Sequence, residues 1–172
     1  MDIVTHIDEN DCELGEVTRE RAHKEGLLHR VAVIYVFDEA GNILVQERRD
    51  DGLFDHSSAG HVDSGETPLA AALRELGEEL GIFDVSLKEV GTVFSEERNP
   101  EKSIHKRHLF KVYSCVAVPG KLQEAEVKSV HFEDPERVFE KIKNDSLHAL
   151  YTKGFEVSLG LLLDTIKNHR TK

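Results

Sequence analysis

The segment 60–82 constrains the fold of this 172-residue chain more than any other stretch. Thr67 is a favourable N-cap and Pro68 suits the first turn of a helix, whereas Gly81 suits the left-handed residue at which many helices end. The segment therefore predicts one helix over residues 68–80, about three and a half turns long.

Two faces of this predicted helix differ in chemistry. Leucines at spacings of three and four form an apolar stripe, which consists of Leu69, Leu73, Leu76 and Leu80. Three carboxylates, those of Glu75, Glu78 and Glu79, share another face within one turn. Such a cluster is either a solvated acidic surface or, in a cleft, a site where a divalent cation with oxygen ligands relieves the repulsion. The helix by itself leaves both alternatives open.

The residues around the helix fit the pattern G-x5-E-x7-R-E-U-x-E-E-x-G-U, in which U is a large aliphatic residue. No position departs from it, and the matching residues are Gly60, Glu66, Arg74, Glu75, Leu76, Glu78, Glu79, Gly81 and Ile82. This segment resembles the Nudix box. The resemblance implies a Nudix hydrolase whose loop–helix–loop binds Mg²⁺, with Mn²⁺ as a substitute, and cleaves a diphosphate linkage.

The resemblance also implies roles for individual residues. The expected metal ligands are Gly60, Glu75, Glu78 and Glu79, and the expected catalytic residues are Arg74, Glu78, Glu79 and Glu126. In the family a further carboxylate often comes from a loop ahead of a late strand, where Glu126 is the best positional match and Glu124 the next. Glu66 and Gly81 are expected to be structural.

Arg74 has two interpretations. It can orient a glutamate by a forked hydrogen bond, or it can form a surface ion pair with Glu78 at i+4. Two interpretations also exist for Arg48 and Arg49, which lie at the end of a predicted strand near the box. They either bind substrate phosphate or form a salt-bridged rim.

Other segments resemble one branch of this family. Residues 14–19, 23–30, 44–49 and 57–61 are similar to type I isopentenyl-diphosphate isomerase, itself an enzyme of the Nudix fold. That resemblance implies a second metal site at His23, His29 and His61. It also implies a catalytic cysteine before the Gly-His pair and two glutamates from a later strand.

This chain departs from the isomerase pattern at the reactive positions. Ala59 stands where the cysteine is expected, and residues 105–108 read His-Lys-Arg-His where the glutamates are expected. Because losing the thiol removes a proton donor for alkene isomerisation, the residue chemistry favours hydrolysis. His23 and His29 could also cap backbone carbonyls or lie on the surface, and we expect His56, His105 and His108 to be surface residues.

Composition narrows the class of protein. A formal net charge of −11 disfavours binding of long nucleic acids, but not of a small phosphorylated substrate, because a metal can supply local positive charge. No apolar run approaches the ~18 residues of a membrane span, and the N-terminal segment lacks signal-peptide character. Cys12 and Cys115 are far apart in the sequence, which favours free thiols and a cytoplasmic protein.

The pattern of the whole chain predicts one domain. Predicted strands cover 3–8, 31–37, 43–47, 85–90, 92–95, 105–118 and 129–133, and predicted helices cover 19–24, 68–80, 135–143 and 153–167. We expect residues 10–15 to form turns and residues 53–58 and 96–104 to form loops. This order favours the α/β class with a mixed sheet between helices, in agreement with the α/β/α sandwich that the Nudix resemblance implies. We expect a single Nudix hydrolase domain over 1–172, and the predicted N-terminal strand suggests a homodimer.

Three functions remain open at this point. The first is a Mg²⁺-dependent pyrophosphohydrolase of a nucleoside diphosphate, a nucleoside triphosphate or a nucleoside diphosphate linked to another group. The second is an isopentenyl-diphosphate isomerase-like enzyme, and the third is a non-catalytic nucleotide-binding module. The complete set of box glutamates favours the first.

Overall fold

The computed structural model describes residues 2–144 and 146–170. In this part the strands are β1 Ile3–Ile7, β2 Glu13–Thr18, β3 His29–Phe37, β4 Ile43–Arg48, β5 Phe54–Asp55, β6 Ser58–His61, β7 Lys88–Asn99, β8 Ile104–Val116 and β9 Val127–Glu133. The helices are α1 Arg19–Glu25, α2 Pro68–Leu80, α3 Pro135–Lys143 and α4 Lys153–Arg170, with a 3-10 turn at His148–Leu150. Residues 1, 145, 171 and 172 of the predicted domain lie outside the described residues, and a single domain over 1–172 stays a prediction.

Strand β3 is the centre of the sheet. It runs parallel to β8, from the pair His29 and His108 to the pair Phe37 and Val116. It is antiparallel to β6 and meets β1 and β4 at its two ends. Most of its residues are buried, as expected for a strand that is covered on both faces. The predicted mixed sheet is therefore confirmed.

Helices cover both faces of this sheet. On one face the core contains residues from α3 and α4, among them Val138, Ile142, Phe155 and Leu159. On the other face α2 contributes Ala71, Ala72, Leu76 and Leu80 to a second core. The described residues thus form the predicted α/β/α sandwich.

The predicted box helix has the expected ends. The Thr67 side chain accepts a hydrogen bond from the backbone N–H of Ala70, and Gly81 adopts the left-handed conformation with φ 60°. Only Gly tolerates this conformation at no steric cost. The helix therefore begins and ends where its capping residues predicted.

The predicted leucine stripe of α2 is wrong in its first half. Leu69 is 45% exposed and Leu73 is 40% exposed, while Leu76 and Leu80 are fully buried. Two alanines complete the buried face instead, which brings the helix close to the sheet because Ala adds little volume. The actual inward face is Ala71, Ala72, Leu76, Glu79 and Leu80. A glutamate thereby lies on the buried side of the helix.

The prediction of a loop over 96–104 is wrong. Strand β7 continues to Asn99 and pairs with β8, which leaves only residues 100–103 for the turn. The segment is polar, but its side chains find partners across the hairpin, because Glu96 is hydrogen-bonded to His105 and Glu97 forms an ion pair with Lys106. A bulge next to Gly91 joins the two short strands predicted at 85–90 and 92–95 into one.

Two shorter segments also differ from the prediction. Strand β2 begins inside the predicted turn at 10–15 and forms the outer strand next to β1. Strand β5, predicted as loop, pairs with β4. Both cysteines are free thiols, as expected. Within the described residues, every helix is too short or too polar to cross a membrane.

Candidate active site

Strand β6 and helix α2 place the first box residues against each other. Gly60 lies in β6, opposite Ala32 of β3. A Cβ atom at Gly60 would lie 1.9 Å from Oε1 of Glu75. Only a glycine therefore lets the Glu75 carboxylate lie against the backbone of β6, which gives the first position of the box a steric reason.

Arg74 ties the loop to the helix. Its Nε and Nη2 donate to the two oxygens of Glu66 at 3.1 and 3.0 Å, so the fork of the guanidinium holds this loop residue. Nη1 donates to Glu75 at 2.6 Å and to Glu78 at 3.3 Å, and Nη2 also donates to the His61 carbonyl at 3.1 Å. Arg74 thus combines the two predicted interpretations. It holds the carboxylates of Glu66 and Glu75, and it also forms the i+4 ion pair with Glu78.

The three box carboxylates are not equivalent. Glu79 is 7% exposed and the Glu75 side chain 13%, whereas the Glu78 side chain is 59% exposed. Burial raises the pKa of Glu79 to about 8, and a hydrogen bond from the Gln46 amide, 3.1 Å away, opposes the rise. Burial also raises the pKa of Glu75, with Arg74 opposing it. In the absence of a cation, this pair of carboxylates is held in an unfavourable environment.

A cavity of about 300 Å³ opens beside Glu79. Its lining residues are Gln46, Arg48, Asp50, Asp55, His56, Ala59, Glu79, Ala125 and Glu126. The charge of Glu126 contributes to the raised pKa of both Glu75 and Glu79. The structure therefore brings Glu126 together with the box carboxylates.

The loop that carries Glu126 is held by Arg49. The Arg49 backbone N–H donates to the Glu126 carbonyl at 2.7 Å, and its Nε donates to the Glu124 carbonyl at 3.0 Å. Glu124 thus contributes its backbone to the loop, and it is not among the residues that line the cavity. Of the two candidates, Glu126 has the geometry of a site residue.

Arg48 has the contacts of a salt-bridged rim. It lines the cavity and lies 3.1 Å from Asp50, 3.3 Å from Asp51 and 3.4 Å from Asp55. Its side chain is 32% exposed. A guanidinium at the edge of a cavity with three long carboxylate contacts can exchange one of them for a phosphate oxygen.

Comparison with known protein families matches residues 27–153 to the NUDIX domain. The match contains the complete box, the strands that hold it and Glu126. The chain belongs to the Nudix family.

Individual relatives agree with this assignment. An uncharacterised Nudix hydrolase, PA4841 of Pseudomonas aeruginosa, is 34% identical over 160 residues, which cover 87% of this chain and 91% of that protein. An isopentenyl-diphosphate Delta-isomerase of Streptomyces coelicolor is 31% identical and covers 84% of this chain and 77% of its own length. The crystal structure of DR0079 from Deinococcus radiodurans superimposes with a TM-score of 0.65 at 19% identity, covering 87% and 97% of the two chains. The resemblance to both the hydrolases and the isomerases is therefore confirmed.

This Nudix chain brings four histidines together beside the box. They come from α1, β3, β6 and β8 and are His23, His29, His61 and His108. One ligand atom from each ring lies within 4.8 Å of the others. The three histidines implied by the isomerase resemblance are thus adjacent, and a fourth joins them.

The prediction that His108 is a surface residue is wrong. It is partly buried and lies opposite His29 because β8 runs parallel to β3. Its Nε2 is 3.2 Å from Nε2 of His23 on α1. Parallel pairing joins segments that are far apart in the sequence, so no local pattern gave this contact. The one signal was the isomerase resemblance, which expects two glutamates of the site at residues 105–108. His105 is closer to the expectation, since it pairs with exposed Glu96 at the edge of the hairpin.

The histidine cluster is largely shielded from water. Burial lowers the pKa of His23 to about 4 and of His61 to about 2, and the neighbouring rings add to the effect. The pKa of His108 is lowered for the same reasons, whereas burial lowers the pKa of His29 and the Leu27 carbonyl opposes the change. These shifts all favour the neutral ring, the protonation state in which imidazole binds metals.

His56 was also predicted to be a surface residue, and this is wrong. It is 4% exposed, its Nε2 lies 2.7 Å from the Ser158 hydroxyl, and its Nδ1 lies 2.6 Å from Asp55. Ser158 in turn contacts the Tyr35 hydroxyl at 2.7 Å. Burial opposes ionisation of Asp55, but His56 and the hydroxyl of Thr152 hold its pKa at about 2. This buried polar network braces the floor of the cavity.

Sequence reasoning also missed Gln46 and Asp55, which line the same cavity. Gln46 gave one usable signal, because it interrupts the apolar run of β4 at a buried position. A polar residue there needs a partner, and the partner is Glu79. Asp55 lies in a segment predicted as loop and gave no such signal.

Proposed function

We propose that this Nudix protein is a Mg²⁺-dependent hydrolase that cleaves the diphosphate linkage of a nucleoside di- or triphosphate, or of a nucleoside diphosphate linked to another group. The observation that carries the proposal is that buried Glu79 lines one cavity with Glu126, while partly buried Glu75 lies close enough for its charge to raise the pKa of Glu79. Family membership and the hydrolase relative support the same class of reaction.

The residues present fit a hard divalent cation. Carboxylates of Glu75, Glu78 and Glu79, with the Gly60 carbonyl, offer the oxygen donors that Mg²⁺ and Mn²⁺ prefer. The raised pKa values of Glu75 and Glu79 support this fit, because a cation would offset the unfavourable burial of their charges. When bound, Mg²⁺ neutralises charge on phosphate oxygens and lowers the pKa of coordinated water.

Other residues of the chain then divide the remaining tasks. Arg74 holds Glu75 and Glu66 so that the carboxylate keeps one orientation. Glu126 lines the cavity and has no other role in this scheme. We assign it the task of accepting the proton of the attacking water. Arg48 at the cavity edge binds a substrate phosphate, while Arg49 positions the loop of Glu126.

The test is a panel of nucleotides and diphosphates incubated with the protein and Mg²⁺, with phosphorus species followed by ³¹P NMR. We expect phosphate-containing hydrolysis products in the wild type. Glu79→Gln should lower kcat by about 10²–10³-fold, the usual effect of removing one charge-stabilising group. Glu140→Gln, on the exposed side of α3, is the matched control and should retain full activity.

The second candidate is an isomerase acting on isopentenyl diphosphate. The Streptomyces relative and the histidine cluster favour it. Ala59 disfavours it, because this residue lines the cavity and brings no proton donor to it. The same NMR experiment separates the two, since the isomerase would convert isopentenyl diphosphate to dimethylallyl diphosphate without releasing phosphate. A chain with neither activity would be the third candidate, a nucleotide-binding module.

The expected partners follow from the same site. A small diphosphate-containing substrate fits the cavity, and the net charge of −11 disfavours long nucleic acids. A homodimer and a cytoplasmic location stay predictions. The sequence had suggested that the N-terminal strand, β1, pairs in the dimer. The exposed outer strand is β2 instead, so a dimer formed by strand pairing would use β2.

A further inference from the structure

Two cavities of the structure adjoin at Asp55. The cavity of about 300 Å³ contains Glu79 and Glu126, and a second cavity of about 240 Å³ lies next to it. Four residues line both cavities, namely Arg48, Asp55, His56 and Ala59. Asp55 is therefore within reach of a ligand that extends from one cavity into the other.

The two oxygen atoms of the Asp55 carboxylate have different surroundings. Oδ1 accepts hydrogen bonds from the Thr152 hydroxyl at 2.7 Å and from the backbone N–H of His56 at 2.8 Å, and Nδ1 of His56 lies 2.6 Å from the same oxygen. Among the described residues, Oδ2 has one polar contact, the long one of 3.4 Å to Nη1 of Arg48. Because each carboxylate oxygen can accept about two hydrogen bonds, Oδ1 is saturated and Oδ2 keeps an open position.

The carboxylate is fixed in position and stays ionised. His56 is itself held, since its Nε2 lies 2.7 Å from the Ser158 hydroxyl on α4. Burial opposes ionisation of Asp55, but His56 and Thr152 keep its pKa at about 2. A carboxylate with such a low pKa is a poor general base, whereas its charge makes it a strong hydrogen-bond acceptor.

Charge determines which part of a substrate meets Asp55. A phosphate group placed on Oδ2 would be repelled by the carboxylate, while the guanidinium of Arg48 attracts it. The diphosphate therefore lies on the side of Arg48 and Glu79, a position taken from the proposed function, on which this inference rests. The group joined to the diphosphate then passes Asp55 and enters the second cavity.

The second cavity favours a neutral group over a cationic one. Arg48 and Lys106 both line it, and the carboxylate of Glu97, which also lines it, is paired with Lys106 at 3.7 Å. An ammonium group would be repelled by the two cations. A hydroxyl group carries a donor without a charge, so it suits the open position of Asp55.

We propose that Asp55 is a substrate-binding residue whose Oδ2 accepts a hydrogen bond from a hydroxyl group next to the diphosphate. The site then selects a hydroxyl-bearing group, such as a sugar or another polyol, over a hydrocarbon chain. A hydrocarbon chain would cover the carboxylate without offering a donor, and a buried charge without a partner is costly. A site built to bind a substrate hydroxyl rejects the analogue that lacks it for this reason.

The test uses three esters of methylenediphosphonate, whose P–C–P bridge cannot be hydrolysed. The propyl ester has no donor, the 2,3-dihydroxypropyl ester has hydroxyl groups, and the 2,3-difluoropropyl ester carries fluorine, which is similar in size to a hydroxyl group but donates no proton. Isothermal titration calorimetry measures the binding of each ester to the full chain with Mg²⁺. We expect the wild type to bind the dihydroxypropyl ester at least about tenfold more tightly than either of the others, the usual strength of a hydrogen bond to a charged group.

Two variants separate Asp55 from its surroundings. Asp55→Ala removes the acceptor and should abolish the preference for the dihydroxypropyl ester. Asp51→Ala is the matched control, because Asp51 lies 3.3 Å from Arg48, about as close as Asp55, but is not among the residues that line either cavity. The control should keep the preference of the wild type.

The preference can be read even from a variant that folds poorly. It is a ratio of two affinities measured on one sample, so a partly unfolded variant gives the same ratio. The fluorinated ester tests the need for a donor on the wild type alone, which covers the case in which Asp55→Ala does not fold.

Equal binding of the propyl and dihydroxypropyl esters by the wild type, or a preference that survives in Asp55→Ala, would overturn the assignment of Asp55. Binding of the fluorinated ester as tight as that of the dihydroxypropyl ester would do the same, because no donor would then be needed. Failure of all three esters to bind would overturn both this assignment and the position of the diphosphate. Failure to hydrolyse nucleotides would contradict the proposed function alone, since these esters bind without being cleaved.

Discussion

At the scale of single residues, steric contacts and charge pairing account for two positions of the Nudix box. Gly60 is required because Glu75 occupies the space of its side chain, and Arg74 is required because three carboxylates meet at its guanidinium. The sequence motif predicted which residues belong to the site, but it gave Gly60 as a metal ligand and left two alternatives for Arg74, so the structure supplies these reasons. His56 and His108 are placed by long-range strand pairing and by packing of helices, which local patterns do not reveal. For His108 the isomerase resemblance gave the one signal, because it expects site glutamates at residues 105–108.

Gly60→Ala tests the steric argument. The new Cβ would lie 1.9 Å from Glu75 Oε1, so the carboxylate must move away. We expect kcat to fall by at least about tenfold with a small change in stability, because a misplaced catalytic contact acts mainly on the reaction. Gly160→Ala in α4 is the control, since its nearest neighbour is 3.8 Å away and the substitution should leave kcat unchanged. Equal kinetics in both variants would remove the steric role of Gly60.

Arg74→Lys tests the orienting role of the guanidinium. The ammonium keeps the charge but cannot hold Glu66 with a fork while it contacts Glu75. We expect a fall in kcat that is smaller than that of Glu79→Gln, with KM nearly unchanged, because the lost contact acts on the transition state. Steady-state kinetics of both variants on the best substrate provide the comparison. Full activity of Arg74→Lys would reduce Arg74 to a surface ion pair.

The pKa of Glu79 predicts a pH dependence of stability in the metal-free protein. Its folded pKa is raised from 4.5 to about 8 by burial, so the folded state retains a proton that the unfolded state has lost between these values. Deprotonation of this group therefore destabilises the fold as pH rises. A Gln at this position cannot titrate, so the Glu79→Gln variant lacks this loss of stability.

The measurement is Tm in EDTA from pH 5 to pH 8 for wild type, Glu79→Gln and Glu140→Gln. Wild type and Glu79→Gln share every other ionisable group. The difference between their Tm values therefore isolates the contribution of the Glu79 carboxyl. We expect the Tm of Glu79→Gln to gain on the wild type as pH rises, while Glu140→Gln stays parallel to it. A constant difference for Glu79→Gln would show that its pKa is ordinary.

At the scale of elements, α2 has a buried face and an exposed face, and the spacing of its residues predicted these faces only in part. Its caps and length were predictable because they depend on neighbouring residues, namely Thr67, Pro68 and Gly81. The buried face was not, because the sheet selects the small side chains Ala71 and Ala72 over Leu69 and Leu73. The strand over 96–99 was missed for a related reason, since its polar residues are stabilised only by the partner strand.

Two leucines on α2 test this packing. Leu76→Ala removes a fully buried side chain and should lower the free energy of unfolding by about 2–5 kcal/mol. Leu73→Ala, three residues earlier and 40% exposed, should lower it by less than about 1 kcal/mol. Urea denaturation of both variants gives the comparison. Similar losses would mean that the apolar stripe predicted from the sequence is the buried face after all.

At the scale of the whole molecule, one sheet brings box residue Glu79 and three of the four clustered histidines to neighbouring cavities. Strand β6 carries Gly60 of the box and His61 of the histidine cluster in succession, and β3 beside it carries His29. The fold class could be predicted because alternating strands and helices leave few architectures. The fourth histidine required the parallel pairing of β3 with β8, which is a property of the complete fold.

The central claim is that the box carboxylates support attack of water on a diphosphate linkage. Turnover in ¹⁸O-labelled water, followed by ³¹P NMR, tests it most directly. We predict that with Mg²⁺ the wild type releases two phosphorus-containing products, that one of them carries ¹⁸O on phosphorus, and that Glu79→Gln slows this reaction by about 10²–10³-fold. Rearrangement of isopentenyl diphosphate with no label on phosphorus, or labelled products formed equally fast by Glu79→Gln, would contradict the account.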